Sequence, residues 1–330
     1  MYPFDLKNNI PHGYPVLSSE PDFDPIKDLQ LEIPKKITSL QEIGYSKEYL
    51  KELSTQFAFS SPARILSDEG VEKLYQVLKL LEPYAKSSER IPRMVRGGVY
   101  QSKYLRELSL SKDITKFFSE IADIELQPHT IPHQLGHINY NPLERGINTD
   151  KWHTDTLRYD YVLFVTDPNK VKGGEFEYFL GTKNEMEDLH KKNFKIPNDK
   201  IISLKPSGPG YAVFLHGNMV VHRAKGIDSE GERITLVNGY IAKDIIKNPD
   251  FTNFEESYLA DPKHVGTAEF TKHTAFIAKE HLNKCINDNI FSEDREKYIN
   301  ELNDTSKILK DAIKKIRKVG IKAKSKHFGD

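Results

Sequence analysis

A single cysteine, Cys285, in 330 residues rules out an intramolecular disulfide and points to a reducing compartment. No stretch reaches the roughly 18 consecutive apolar residues that a membrane-spanning helix needs. The opening Met-Tyr-Pro-Phe-Asp-Leu-Lys lacks the basic-then-apolar pattern of a secretory leader, so a cytoplasmic location is expected. Neither charge dominates, since 48 Lys and Arg balance 48 Asp and Glu. Internal repeats and low-complexity tracts are missing too.

What remains is the composition of a soluble globular chain, 38% hydrophobic and 29% charged, long enough to bury a substantial core. Prolines at 3, 11, 15, 21, 25 and 34 suggest an extended N-terminal arm, with a short helix near Lys47 to Leu53. Ser67-Asp68-Glu69 reads as a helix start, and Val71, Leu74, Leu78 and Leu81 follow at helical spacing until Pro83. A second helix is expected from Ser111 to Ala122, burying Ile114, Phe117, Phe118 and Ile121.

Near residue 124 the period changes. Short apolar or alternating runs appear at 137–140, 161–165, 175–179, 211–215 and 234–241, separated by turn signals such as Asp167-Pro168, Gly173-Gly174 and Ser207-Gly-Pro-Gly210. Many short strands without long intervening helices predict an antiparallel sandwich or jelly roll. A helical insertion is expected at 185–192, and helices return at 268–286 and from Ser292 to Lys318. The expectation is one domain over 1–330: arm and helices to 123, a mainly β core over 124–250, and flanking C-terminal α-helices from 251.

Within the core, Lys151-Trp152-His153-Thr154-Asp155-Thr156 places a histidine and a carboxylate two residues apart, on one face if the stretch is extended. His222 lies 67 residues beyond Asp155 at the end of Met219-Val220-Val221. Two histidines and one carboxylate form the facial triad that binds Fe(II) and leaves positions open for co-substrate and oxygen. Arg233 stands eleven residues past His222, and Thr235 shares its face of a predicted strand. A guanidinium fork beside a hydroxyl suits the far carboxylate of a keto acid such as 2-oxoglutarate.

The ordered set over residues 130–242 resembles the Fe(II)/2-oxoglutarate-dependent oxygenases with a double-stranded β-helix (jelly-roll, cupin-like) core, closest to the phytanoyl-CoA dioxygenase-like branch. The set runs from 137–140 through His153-Thr154-Asp155, Gly173-Gly174, Phe179-Leu-Gly-Thr182 and Gly210-Tyr-Ala-Val-Phe-Leu-His-Gly217 to His222 and Arg233. The resemblance implies Fe(II) on His153, Asp155 and His222, with 2-oxoglutarate and O2 as co-substrates. It also implies hydroxylation, desaturation or ring formation on a small molecule. Related halogenases replace the carboxylate ligand with a small residue, and Asp155 argues against that chemistry here. In relatives the strand before the ligand motif often contacts co-substrate or substrate, which singles out Asn139 for 2-oxoglutarate and His137 for substrate. Both could equally be satisfied core polar groups.

Arg93, Arg96 and Arg158 could hold a substrate carboxylate or phosphate, or form structural ion pairs. Spare arginines near the predicted pocket suggest an amino-acid-like or acidic metabolite. A peptide hydroxylase or demethylase, and a metal-binding jelly roll without oxygenase activity, are the rival readings. His216 competes with His222 for the ligand role, and Trp152 reads as core packing. From Lys307 to Lys326 there are eight lysines and one arginine against one aspartate. The stripe Ile308, Leu309, Ala312, Ile313 and Ile316 makes this a helix docked on the core, with weak contact to an anionic membrane surface as an alternative. Nucleic acid is not expected, because no aromatic residues interleave the basic ones.

Overall fold

Between residues 137 and 242 the chain folds into eight core strands: β1 (His137–Tyr140), β2 (Asp150–His153), β3 (Tyr159–Phe164), β4 (Phe176–Phe179), β5 (Ile201–Leu204), β6 (Tyr211–His216), β7 (His222–Ala224) and β8 (Ile234–Ala242). These come from a computed structural model that describes residues 2–250, 252–287, 291–320 and 327–329. One sheet has the order β6-β3-β8-β1 and the other β5-β4-β7-β2, and every pairing is antiparallel. This is the double-stranded β-helix order of a jelly roll.

The inner faces meet through apolar side chains: Val162, Phe164, Val213 and Leu215 of the larger sheet pack with Phe176 and Tyr178 of the smaller one. The larger sheet is buried on its outer face as well. Tyr161, Leu163, Phe214, Leu236 and Tyr240 pack there against the helices Asp68–Leu81 and Lys112–Ala122, with Phe118 stacked 4.4 Å from Phe214. Ser67 caps the first helix as predicted and Ser111 caps the second, accepting from Gly70 and Ile114 backbone N–H groups. Outside the smaller sheet lies the helix Lys183–Lys191, whose Met186 packs on Trp152, Phe179 and Val221.

Three expectations need correction. The first 60 residues are not only an arm with a helix, which is limited to Lys47–Leu50. Ile37–Ser39 and Phe57–Ser60 extend the larger sheet beyond β6, and Met94–Val95 extends it beyond β1. Strands this short carry too little periodicity to read. The final helix spans Arg295–Lys318 and is capped by Asp294 rather than Ser292, and the helix before it is longer than expected, Lys263–Asn287.

The two long helices pack around Phe254, Phe270 and Ala312, with Ile316 against them. Of the predicted stripe, Leu309 and Ile313 remain 42% and 49% exposed, so docking uses only part of it. Lys322, Lys324 and Lys326 lie outside the described residues. Among the described residues no helix is long and apolar enough to cross a membrane.

Candidate metal centre and active site

His153 and His222 are directly opposite each other on β2 and β7, the two adjacent strands at one edge of the smaller sheet. A non-shifted cross-strand pair brings side chains on one face within reach of a common atom. Asp155 joins them from outside the sheet: β2 ends at His153, and Asp155 is held in the following loop by its N–H donating to Gly217 O at 2.9 Å. The strand-face argument for His153 and Asp155 is therefore replaced by a strand end plus a loop contact. Gly217 is required at this approach, because a Cβ there would sit 2.6 Å from Asp155 Oδ2.

The three ligand atoms lie within 4.8 Å of one another, the one such group found among the described residues. Asp155 bridges the histidines, with Oδ1 3.3 Å from His153 Nε2 and Oδ2 3.2 Å from His222 Nε2. Each ring turns its other nitrogen to a main-chain carbonyl two residues back: His153 Nδ1 lies 2.6 Å from Lys151 O and His222 Nδ1 3.0 Å from Val220 O. Donation from Nδ1–H fixes the tautomer and leaves both Nε2 lone pairs directed at the common point, which is how metal-binding histidines are prepared. Burial alone would raise the Asp155 pKa, but His222 and His153 hold it well below the usual carboxylate range. Burial alone would lower His222, and Asp155 raises it. A half-buried carboxylate facing two imidazole Nε2 atoms suits a divalent cation, and the donor set fits Fe(II).

Behind the group lies a small cavity of about 40 Å³, lined by Asn139, Val162, Phe176, Thr235 and Val237 among others. It shares Arg90, His137, Asp155, Asp160 and Val237 with an outer cavity of about 160 Å³. Thr235 and Asn139 are a cross-strand pair on β8 and β1. Arg233 immediately precedes β8 and is only 2% exposed. Its Nε donates to Gly174 O at 2.8 Å, and its guanidinium lies over Phe164, but Nη1 and Nη2 are buried without a protein partner. Burial lowers its pKa to about 10, with Glu175 and Asp150 acting against the shift. Leaving two guanidinium nitrogens unpaired in an apolar setting is costly; Arg233 itself lines neither cavity. Gly174 adopts φ +75° beside it, and a Cβ there would approach Arg233 Cδ to 3.1 Å.

His137 lines both cavities, and its Nε2 has no protein partner. Burial, then the nearby Arg96 and Arg90, push its pKa well below the usual value, so the ring is neutral. Asn139 Oδ1 is likewise buried without a partner. Arg96 lines the outer cavity but is engaged by Asp261 at 2.6 and 3.0 Å. Arg93 is outside both linings; it pairs with Glu82 at 2.6 Å and lies over Tyr140. Arg158 is buried beside Tyr159 and His216 and also lines neither cavity. His216 stacks on Tyr159 and points Nδ1 at Phe57 O, so it is a core residue. Trp152 is buried outside the smaller sheet, as expected.

Arg90 and Asp160 are among the cavity residues that sequence reasoning missed. Arg90 lines both cavities and contacts Asp150 Oδ1 through Nε at 3.0 Å. Asp160 lines both from β3, and burial together with Asp155 pushes its pKa well above the usual range. Neither carries a local motif; only the strand alternation around Tyr159 and Tyr161 hinted that Asp160 faces inward.

A jelly roll with a buried His-Asp-His group between its sheets defines a metal-centred enzyme of the non-haem Fe(II)/2-oxoglutarate type. The chain belongs to the halogenase D family, whose profile matches residues 81–258. No curated protein matches it. Among solved structures it is similar to the alpha-ketoglutarate-dependent carbocyclase SnoK from nogalamycin biosynthesis, at 18% identity and TM-score 0.43, covering 62% of this chain and 86% of that one. It is also similar to HygX from Streptomyces hygroscopicus, solved with nickel and 2-oxoglutarate, at 14% identity and TM-score 0.41, covering 61% and 88%. EctD from S. alaskensis, solved with 2-oxoglutarate and 5-hydroxyectoine, shares 14% identity at TM-score 0.42, covering 70% and 86%. The family match, not these distant likenesses, carries the assignment.

Proposed function

We propose that this enzyme oxygenates an unactivated C–H bond of a small amino-acid-like or acidic metabolite, using Fe(II) held by His153, Asp155 and His222. Arg233 and Thr235 bind the far carboxylate of 2-oxoglutarate. The observation that carries this reading is the pair of buried, unpartnered Arg233 nitrogens, which a carboxylate satisfies in two parallel hydrogen bonds. A metal-binding jelly roll without a co-substrate would have no use for them.

When bound, Fe(II) and 2-oxoglutarate would supply the oxidising power: 2-oxoglutarate would be oxidatively decarboxylated to succinate and CO2, one atom of O2 entering succinate and the other the substrate. The remaining work falls to side chains. Asn139 Oδ1 offers a hydrogen-bond acceptor to the inner cavity, and His137 Nε2 a neutral imidazole nitrogen where the two cavities share a wall. Phe176, Val162 and Val237 supply the apolar part of the inner wall, beside the polar groups that line the rest of it. Arg90, Glu89 and Glu256 line the outer cavity and give it both signs of charge, which suits a zwitterionic metabolite, while Arg96 in the same lining is already paired with Asp261 and Arg90 contacts Asp150. A peptide is disfavoured by the size of that cavity and by the helix Phe254–Ala260, which contributes Glu256, Ser257, Leu259 and Ala260 to its wall.

The family takes its name from a halogenase, but Asp155 here bridges both histidines where halide would need an open position. Hydroxylation is the chemistry that this ligand set favours. The test incubates the enzyme with Fe(II), 2-oxoglutarate, oxygen and a panel of amino acids and small acids in chloride buffer. Succinate release with a product heavier by one oxygen is expected. A chlorinated product would overturn the hydroxylase reading, and a substrate-independent failure to make succinate would overturn the whole.

A further inference from the structure

The strand that carries His153 is weakly held by its own sheet. β2 is an edge strand, paired only with β7, and the register of that pairing shifts between His222 and Ala224. An edge leaves backbone groups unpaired and free to move. The residues 327–329 fill that gap. Trp152 N–H donates to Gly329 O at 3.0 Å, and Phe328 N–H donates to Trp152 O at 2.7 Å.

These two bonds fall on the peptide groups that matter for the metal ligand. Trp152 N–H and Lys151 C=O are the two ends of one planar peptide unit, and Lys151 O is the atom that receives His153 Nδ1, 2.6 Å away. The Trp152 C=O belongs to the next peptide, which ends in the His153 nitrogen. Residues 327–329 therefore hold both peptide planes leading into His153, and the chain His153 ring–Lys151 C=O–Trp152 N–H–Gly329 C=O is a continuous hydrogen-bonded line in which each bond polarises the next.

The segment is itself fastened. Phe328 packs on the cluster of Trp152, Phe179, Met186 and Val221, and its ring meets His190 edge-on at 5.8 Å. Gly329 adopts φ +83°, a conformation that disfavours any side chain, while its N–H donates to His327 Nδ1.

We propose that residues 327–329 are a positioning element for the metal centre, with Phe328 as the anchor and Gly329 as the turn that lets its carbonyl reach Trp152. They act through the Lys151–Trp152 peptide to fix the orientation of the His153 ring. The inference rests on the reading of His153, Asp155 and His222 as metal ligands.

The experiment titrates the full-length protein with Co(II), whose visible absorption reports its ligand geometry, well below the melting temperature of every variant. Phe328→Ala and Gly329→Ala should each weaken Co(II) binding about tenfold and alter the spectrum of the loaded protein, the lower end of what outer-shell changes cost metal sites. Phe328→Leu, which keeps the apolar anchor, should restore both. A purely structural segment would lower the melting temperature and leave affinity and spectrum alone, and affinities within twofold of wild type for both alanine variants would overturn the proposal. Asp155→Ala run alongside separates the two ideas. If it abolishes binding while the segment variants do not, the positioning role fails and the metal centre stands; if it binds Co(II) like wild type, the metal centre itself fails and the positioning role with it.

Discussion

The two sheets of this jelly roll are built to different standards. Over β3 and β8 the larger sheet keeps six consecutive pairs in step, from Thr235 opposite Phe164 to Tyr240 opposite Tyr159, and it is buried on both faces. The smaller sheet has strands of three or four residues, a register shift beside His222, and an edge that depends on residues far along the chain. The metal ligands sit on the irregular sheet and on the loop after it, whereas Thr235 and Asn139 sit on the regular one. Regular pairing makes a rigid frame, but it points side chains only up or down. Bringing three ligand atoms to one point needs a strand that ends at His153 and a loop that turns Asp155 back.

That contrast predicts variants whose effects separate by sheet. The largest effect should come from Asp155→Ala, with succinate formation falling at least about a thousandfold while the urea midpoint changes little, since a ligand is lost and no core contact is. Retained turnover would place the chemistry elsewhere. Phe214→Ala in the larger sheet should do the reverse. Phe214 is fully buried and stacked on Phe118 and Phe57, so its loss should cost about 3–5 kcal/mol of stability while Co(II) affinity of the folded protein stays near wild type.

Arg233→Met tests the link between the sheets. It should raise the KM for 2-oxoglutarate about a hundredfold, the scale of a lost charged hydrogen-bonding partner. It should also cut the stabilisation by 2-oxoglutarate from about 2.7 kcal/mol, at about 100 times the wild-type dissociation constant, to about 0.4 kcal/mol at the same concentration. Without 2-oxoglutarate the variant should be no less stable than wild type, because an unpaired buried guanidinium has been removed. A clear loss of ligand-free stability would mark Arg233 as structural.

The smallest effect concerns pH and His216 on β6. Burial lowers its pKa to about 3, so between about 6.5 and about 3 the unfolded chain binds a proton that the folded one refuses. The contribution of each such histidine to stability should therefore be flat above about pH 6.5 and fall by about 1.4 kcal/mol per pH unit below it. His216→Gln, measured by urea denaturation at two pH values on that slope, should be flatter than wild type, and an identical slope would remove His216 from the account. His129 is lowered in the same way and contributes its own share of the slope in both proteins.

How much was legible follows from range. His153, Asp155, His222 and Arg233 could be singled out as candidates because the chemistry demands those residue types in that order, and because apolar runs around them announce strands; the fold brings the first three together. The fates of Arg93 and Arg96 could not be read. Arg96 is committed to Asp261, 165 residues away, and a sequence carries no mark of a partner at that distance. Arg90 and Asp160 face the cavities without a motif, and the short strands at the sheet edges have too few residues to show a period.

The sequence by itself determined the class of fold, through its switch from helical to alternating spacing, and the candidates for metal binding, through residue types that such a site needs. Tertiary structure alone decided which arginines are free for a ligand, that Asp155 reaches the site from a loop, and that Phe328 and Gly329 reach back to Trp152. The reason is physical. Local spacing fixes which face a side chain takes, but a guanidinium's partner and a strand edge's cover are set by which distant segments packing brings within hydrogen-bond distance.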